Sequence, residues 1–356
     1  MAPLLIINNI GATMRILLGI SGGVDSAYAA YKLKNEGHEV EGAVIKMHEH
    51  TEIDAAIEAA ESIGIPLHII DATEDFEKII KENFAQEYIS GRTPNPCIIC
   101  NPKVKFKALY DYAMANGFDM IATGHYAKIV KLEFDGEVRY TFASPADEKK
   151  DQTYMLCRLP GYIIEKTLFP LADMNKTDVR QSSRESGLSA ADRGDSQEIC
   201  FLPNGGYTDF VESRKGKCPS GNFIDDSGAI LGTHKGIIHY TVGQRKGLGI
   251  ALGERVFVTD IDPIANTVTL SPSPKKSTEI KITDVVYTGL PEPKSDLTIE
   301  ALVKPRYTAK KVSACVTFHQ NATARVTFSE PTTAAPGQTL TVYNSDGHLL
   351  AAGFIN

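Results

Sequence analysis

Long apolar runs are absent from this 356-residue chain. That removes a bilayer-spanning helix, and with it any membrane partner, from the expected architecture. The mildly apolar opening over residues 1–10 lacks a basic start and a cleavage site, which argues against secretion and for a cytoplasmic protein. No internal repeat and no low-complexity tract stands out. Positive charge is not in excess either: 37 Lys and Arg against 44 Asp and Glu leave a net −7. This balance argues against bulk nucleic-acid binding but leaves room for local basic surfaces. Candidates are Lys103, Lys105 and Lys107; Lys149 and Lys150; Arg214, Lys215 and Lys217; Arg245 and Lys246; and Lys304, Arg306, Lys310 and Lys311. Cysteine is scarce, with six residues spread over the whole length. A disulfide scaffold is therefore not expected, and any close set of thiols reads as catalytic or metal-binding.

What is present describes a globular protein, with 42% hydrophobic and 23% charged residues. The length suits two or three domains. Met14 precedes the first apolar run, so residues 1–13 read as an N-terminal extension. The next two hundred residues alternate strand and helix. Strands are expected at residues 16–20, 40–45, 67–71 and 120–123, and helices at 24–35, 52–63, 75–89 and 104–116. This rhythm predicts an α/β domain over residues 14–204, with a doubly wound parallel sheet and ligands at the carboxyl ends of its strands. From about residue 205 the texture becomes rich in glycine. A hairpin around Asp226-Ser227-Gly228 and short strands at 255–260 and 267–271 suggest a small β-rich central domain over residues 205–277. Six short strands, at 281–287, 297–303, 315–317, 323–328, 339–343 and 349–355, predict a C-terminal β-barrel over residues 278–356.

The most informative stretch is Ser21-Gly-Gly-Val-Asp-Ser26, set between the first strand and the first helix. Gly22 and Gly23 let the backbone approach a ligand, and the helix start aims unpaired N–H groups at the same spot. Ser21 and Ser26 add hydroxyls. The Gly-Lys-Ser/Thr ending of the usual P-loop is missing, so no lysine is expected to reach the terminal phosphates. A plain strand-to-helix turn capped by Asp25 is the simpler alternative. The segment resembles the pyrophosphate loop of the ATP pyrophosphatase superfamily, whose members split ATP between the α and β phosphates.

A second motif, Gly91-Arg-Thr-Pro-Asn-Pro-Cys-Ile-Ile-Cys-Asn101, reads as a loop stiffened by proline that carries Cys97 and Cys100. Alone, such a pair is half a zinc site, a redox couple or two ordinary cysteines. A four-cysteine zinc site needs a second close pair, and Cys157, Cys200, Cys218 and Cys315 are scattered. Cys200 follows a polar run in Asp195-Ser-Gln-Glu-Ile-Cys-Phe201.

Six motifs occur in order: the two above, Ala122-Thr-Gly-His-Tyr126, Lys150-Asp-Gln-Thr-Tyr154, the run ending at Phe201, and Tyr240-Thr-Val-Gly-Gln-Arg-Lys-Gly-Leu-Gly249. With Val303-Lys-Pro-Arg-Tyr307 and Ala335-Pro-Gly-Gln-Thr339, they make the chain similar to the tRNA-specific 2-thiouridylases from about Met14 to the C-terminus. These bacterial sulfurtransferases place sulfur on C2 of wobble uridine 34 in the tRNAs for Lys, Glu and Gln. The resemblance implies an adenine nucleotide alpha hydrolase-like fold. ATP, with Mg²⁺, would be held by Gly19, Ile20, Ser21, Gly22, Gly23, Val24, Asp25 and Ser26, together with Ile45 and Gly124. Asn95, Pro96 and Cys97 would contact the target base. His125, Lys150, Asp151, Gln152, Arg306, Tyr307 and Gln338 would touch the tRNA. Cys100 would be the attacking thiol and Cys200 the persulfide carrier, loaded by a cysteine desulfurase or a sulfur-relay protein.

The chemistry explains the parts. The C2 oxygen is a poor leaving group, and adenylation converts it to AMP while pyrophosphate departs into the glycine loop. Sulfur then arrives from a Cys200 persulfide. Either its terminal sulfur attacks C2 directly or Cys100 first releases sulfide locally, and both orders end in a Cys100–Cys200 disulfide. Position 97 is aspartate in many members of this family and cysteine here. Cys97, Cys100 and Cys200 together offer three thiolates to a [4Fe-4S] cluster with one open iron, as in related tRNA thiolases. The persulfide route is the preferred expectation and the cluster its alternative. A small-molecule adenylating ligase, resembling argininosuccinate or GMP synthetases, is a third reading.

Overall fold

The structure is a computed structural model that describes residues 13–134, 136–194, 199–202 and 206–356. The expected extension therefore falls, apart from residue 13, outside the described residues, as does the polar run at 195–198.

A parallel sheet organises the first part of the chain. Its strands β1 (Arg15–Gly19), β2 (Glu39–Lys46), β3 (Leu67–Asp71) and β4 (Met120–Thr123) are followed by an antiparallel hairpin, β5 (Lys128–Phe134) with β6 (Glu137–Ala143), and a short fifth parallel strand, β7 (Thr167–Leu168). The sheet order is β3-β2-β1-β4-β7. β1 is flanked on both sides, which is why Ile16, Leu17 and Leu18 form one unbroken apolar run with no exposed surface. Alternation divides them between faces. Leu17 joins the core beneath the helices of residues 73–89 and 96–115, whereas Ile16 and Leu18 pack with Ala27, Ala30, Leu33, Ala56 and Val179. Helices Val24–Asn35, Ile53–Ile63 and Lys176–Glu185 thus cover the second face. Strand order reverses between β1 and β4, and the crevice at their carboxyl ends is where such sheets take ligands.

One expectation is corrected. The segment that carries Cys97 and Cys100 is helical, running from Pro96–Cys100 through a wider turn at Asn101–Lys105 into Phe106–Ala115. Pro96 occupies the first turn, where a missing N–H costs nothing. Pro102 has no N–H for the carbonyl four residues back and its ring crowds that carbonyl, so the helix widens there into a π turn.

The second part of the chain is a sheet of order β10-β11-β8-β9, made from β8 (Gly221–Ile224), β9 (Ile230–His234), β10 (Phe257–Asp262) and β11 (Thr267–Ser271). The hairpin expected around Asp226-Ser227-Gly228 joins β8 to β9. Asp225 Oδ1 accepts from the backbone N–H groups of Ser227 and Ala229, both at 2.9 Å. The remaining six strands are β12 (Ser277–Tyr287), β13 (Leu297–Lys304), β14 (Val312–His319), β15 (Thr323–Thr332), β16 (Thr339–Tyr343) and β17 (Leu349–Ile355). They close into a barrel in the order β12-β15-β14-β13-β16-β17. Val303, Val316, Phe318, Val326, Leu340 and Val342 fill it.

The barrel is fused to the sheet domain through buried polar contacts. Tyr154 donates to the Thr339 carbonyl at 2.6 Å, and Thr141 of β6 donates to the Leu349 carbonyl at 2.6 Å. Arg158, almost fully buried, donates to the Asp284 carbonyl at 2.7 Å and its carboxylate at 2.6 Å. Its guanidinium also lies 4.5 Å from the centre of the Phe354 ring. Arg158→Met should lower the stability of the whole chain by about 2 kcal/mol, because two charge-assisted hydrogen bonds and a cation–π contact disappear together. An unchanged urea midpoint for this variant would show that the joint contributes nothing.

Candidate active site

The glycine loop is built by close approach. Gly22 has φ +80°, and a Cβ there would lie 2.6 Å from the Ala55 Cβ. At Gly124, just past β4, a Cβ would lie 2.6 Å from the carbonyl carbon of Asp25 and from the Ser26 nitrogen. Neither site has room for a side chain. Ser26 Oγ donates to the Gly23 carbonyl at 3.0 Å and accepts from Ser21 N–H at 3.2 Å, which fixes the turn. Gly23 caps the twelve-residue helix Val24–Asn35 with no side-chain hydrogen bond, so its first N–H groups remain available to an anion. Residues Ser21 to Ser26 line an open crevice of about 1420 Å³. Ile20 and Ile45 lie buried behind it at strand ends, and Gly19 closes β1.

Asp25 is not a simple cap. Lys176 Nζ contacts both of its oxygens, at 2.7 and 2.6 Å, and Tyr126 donates to Oδ1 at 2.9 Å. Lys176 is buried and also lines the crevice. The loop itself carries no lysine, and the fold brings this one to Asp25 from 151 positions along the chain. Arg193 adds a second cation, donating to the Gly22 carbonyl at 3.1 Å and pairing with Glu58 at 2.6 Å. Sequence spacing gives no sign of either residue.

The residues expected to touch tRNA divide into two groups. Lys150, Gln152 and Tyr307 line the crevice, so a wall of it comes from the barrel. Arg306 is exposed beside them. Tyr307 lies 5.6 Å from the Tyr154 ring, and Lys304 Nζ sits over both rings at 5.3 and 5.6 Å. The other group, together with Gln152, organises the walls. Gln152 exchanges two hydrogen bonds with Tyr126, at 2.8 and 3.0 Å. Asp151 accepts from Thr153 N–H at 2.8 Å and from Ser144 at 2.9 Å. Gln338 donates to the Thr93 carbonyl at 2.7 Å, just ahead of the cysteine helix. His125 packs against Phe106 at 5.6 Å and pairs with Thr123 Oγ1 at 2.9 Å, and burial pushes its pKa down to about 3.

Asn95 and buried Pro96 open the cysteine helix, and Cys97 turns its exposed side chain into the crevice. Cys100 is buried, with its sulfur 3.8 Å from the Met47 sulfur. Desolvation pushes its thiol up to about 12, opposed by the nearby Lys105 ammonium. Cys200 is an exposed residue whose thiol is also raised by desolvation, and Lys105 again pulls the other way. Cys97 interacts electrostatically with both thiols. Phe201 anchors the neighbouring Cys200, with its ring 5.5, 5.3 and 5.1 Å from those of Phe76, Phe84 and Phe210. Lys105 is a further residue that the motifs had not singled out for the thiols. All six cysteines are free thiols, and Cys157 is a buried one inside the core. Among the described residues, no group of three or more His, Cys, Asp or Glu side chains is placed to hold a metal ion.

A parallel sheet with a glycine loop at its switch point and no P-loop lysine in the loop defines an adenine nucleotide alpha hydrolase-like protein. Residues 14–204 match the family model described as tRNA methyl transferase HUP domain, 208–272 the tRNA methyl transferase PRC-barrel domain, and 277–355 the aminomethyltransferase beta-barrel domain. The tRNA-specific 2-thiouridylase MnmA of Clostridium acetobutylicum is 40% identical over 360 residues, covering 96% of this chain and 99% of that protein. MnmA 1 of Clostridium botulinum is 39% identical over 357 residues, with the same coverages. The chain belongs to the tRNA-specific 2-thiouridylase family. A 4-thiouridine synthetase–RNA complex with bound ATP aligns over 53% of this chain and 45% of that one, at a TM-score of 0.35 and 16% identity.

Two outcomes follow from the geometry. Gly124→Ala should weaken ATP binding at least tenfold by calorimetry, because the new methyl group displaces the loop backbone; wild-type affinity would show that the loop is not the nucleotide site. Alkylation at pH 8 should label Cys97 well ahead of Cys100. The rate at Cys100 should climb with pH up to about 12, since only the thiolate reacts. A Cys100 rate that levels off near pH 8 would contradict the buried, protonated thiol.

Proposed function

We propose that this protein is a tRNA-uridine 2-sulfurtransferase of class 2.8.1, acting on uridine 34 of the tRNAs for Lys, Glu and Gln. The observation that carries the reading is a shared crevice: Ser21 to Ser26, Cys97 and the barrel residue Tyr307 all line it. In this reading residues 14–204 do the chemistry, 205–277 form a central domain, and 278–356 position the tRNA.

The uridine O2 attacks the α-phosphorus of ATP, and pyrophosphate leaves toward the N–H groups of the glycine loop. Lys176 and Arg193 bring two cations to the same place, so the charge that builds on the departing group meets prepaid partners. Mg²⁺, carried with ATP, would add charge neutralisation beside Asp25. The terminal sulfur of a Cys200 persulfide then attacks C2 and AMP departs. Cys100, protonated at rest, gives up its proton as it attacks the Cys200 sulfur, the Lys105 charge favouring the thiolate that forms, and breaks the S–S bond. This frees the thiocarbonyl and leaves a Cys100–Cys200 disulfide for an external thiol to reduce. A cysteine desulfurase or relay protein restores the persulfide.

The cluster alternative is not favoured, since the three thiols do not form a metal-holding set among the described residues. A small-molecule ligase is not favoured either, because it has no use for the cysteine helix or for a barrel residue in the crevice wall.

The steps separate experimentally. Cys100→Ser and Cys200→Ser should each abolish 2-thiouridine formation while tRNA-dependent pyrophosphate release persists. Lys176→Met should do the reverse, cutting pyrophosphate release at least a hundredfold and leaving Cys200 persulfide loading intact. Normal thiolation by Cys200→Ser would sink the sulfur route, and normal ATP consumption by Lys176→Met would remove that residue from the adenylation step.

A further inference from the structure

The motif Tyr240–Gly249 has no part in the chemistry above, yet it opens a second concave surface. We propose that the loop of residues 245–256 in the central sheet domain is a docking groove for the sugar–phosphate backbone of RNA, placed to hold the tRNA body while the anticodon occupies the crevice. This rests on the reading of tRNA as the substrate.

The loop is anchored from below. Leu248 and Val256 are buried, and Ile250 and Leu252 pack against the same core. Between these anchors Gly247, Gly249, Ala251 and Gly253 are exposed. A Cβ would meet nothing within 4 Å at Gly249 and Gly253, so packing does not explain these glycines. Their φ values of +73° and +75°, with +71° at Gly247, do. The result is a ribbon whose outward positions carry almost no side chain, which lets a partner come close to the backbone. Among the described residues, no backbone N–H from Arg245 to Val256 donates to another protein group.

The base of the ribbon is fixed. Gly243 N–H donates to the Val258 carbonyl at 2.7 Å, Val258 N–H returns to the Gln244 carbonyl at 2.9 Å, and the Gln244 amide donates to the Lys246 carbonyl at 3.0 Å. Over it opens a groove of about 570 Å³ lined by Arg245, Arg255 and Glu254. Lys246 is exposed at its edge. Among the described residues, none of these three cations takes part in an ion pair or a side-chain hydrogen bond. Three cations against one carboxylate stand out in a chain of net charge −7.

Guanidinium forks beside unpaired backbone donors match phosphate oxygens. The set offers donors and no aromatic platform, so it would follow a backbone and not read bases. A protein partner is the weaker fit: such an interface has an apolar centre, and no exposed large apolar side chain lines the groove.

The test uses the full chain with both arginines neutralised, Arg245→Gln with Arg255→Gln, and separately Ala251→Glu, which sets a carboxylate on the outward face. Anisotropy of labelled unmodified tRNA should show affinity falling about tenfold at low salt, with the salt slope of the double variant shallower by about two. At saturating tRNA, kcat should match wild type, and so should Cys200 persulfide loading and the thermal midpoint. Wild-type affinity and slope in the variants would overturn the groove. Lost persulfide loading with unchanged tRNA affinity would also overturn it, by assigning the surface to the sulfur donor. A wild-type chain that binds no tRNA would instead overturn the function on which the groove rests.

Discussion

The contact on which this structure turns is the one between the end of β4 and the start of the first helix. Gly124 lies so close to Asp25 and Ser26 that even a methyl group is excluded. The helix N-terminus, the serine hydroxyls and the exit of β4 therefore share one small volume. Tyr126, two residues on, is held by Gln152 and reaches Asp25, and Lys176 arrives on the same carboxylate. Binding geometry for an anion is thus set by backbone approach, with the charges brought in from distant segments.

Much of this was legible in the sequence because local chemistry dictated it. Ile16 to Leu18 could only be a strand buried on both faces, and the Ser-Gly-Gly-Val-Asp-Ser turn could only lead into a helix that leaves its first donors uncapped. The barrel strands announced themselves as short runs between turns, although the one expected at 315–317 extends over Val312–His319, where Ala314, Val316 and Phe318 are buried. What failed to show had non-local causes. The β5–β6 hairpin mixes Lys128, Lys131, Glu133, Glu137 and Arg139 with its apolar residues, because one face meets solvent and the other the barrel. Lys176, Arg193 and Lys105 are ordinary cations until the fold sets them beside Asp25, Gly22 and the thiols. Three prolines within nine residues, Pro94, Pro96 and Pro102, made the cysteine segment look like a loop. Two of them instead sit where a helix starts and where it widens.

The barrel is more than an appended module. Thr93 is clamped from both sides, its N–H donating to the Pro336 carbonyl at 3.0 Å and its carbonyl accepting from Gln338. Gly337, with φ +85°, leaves room between them for Arg92 and Thr93, to which a Cβ would come within 2.9 and 3.0 Å. The segment that launches the cysteine helix is therefore registered against the barrel. With Tyr307 in the crevice wall, the crevice and the cysteine helix depend on one joint.

The depth of Cys100 also sets how the proposed cycle would close. A disulfide to Cys200 can be reached from solvent only at the Cys200 sulfur, so an incoming thiol would expel Cys100 as the leaving group. Leaving ability falls as thiol pKa rises, and a buried sulfur held near 12 is among the worst. Regeneration would then be a slow exchange, open to the reducing thiols around the protein only through the Cys200 sulfur.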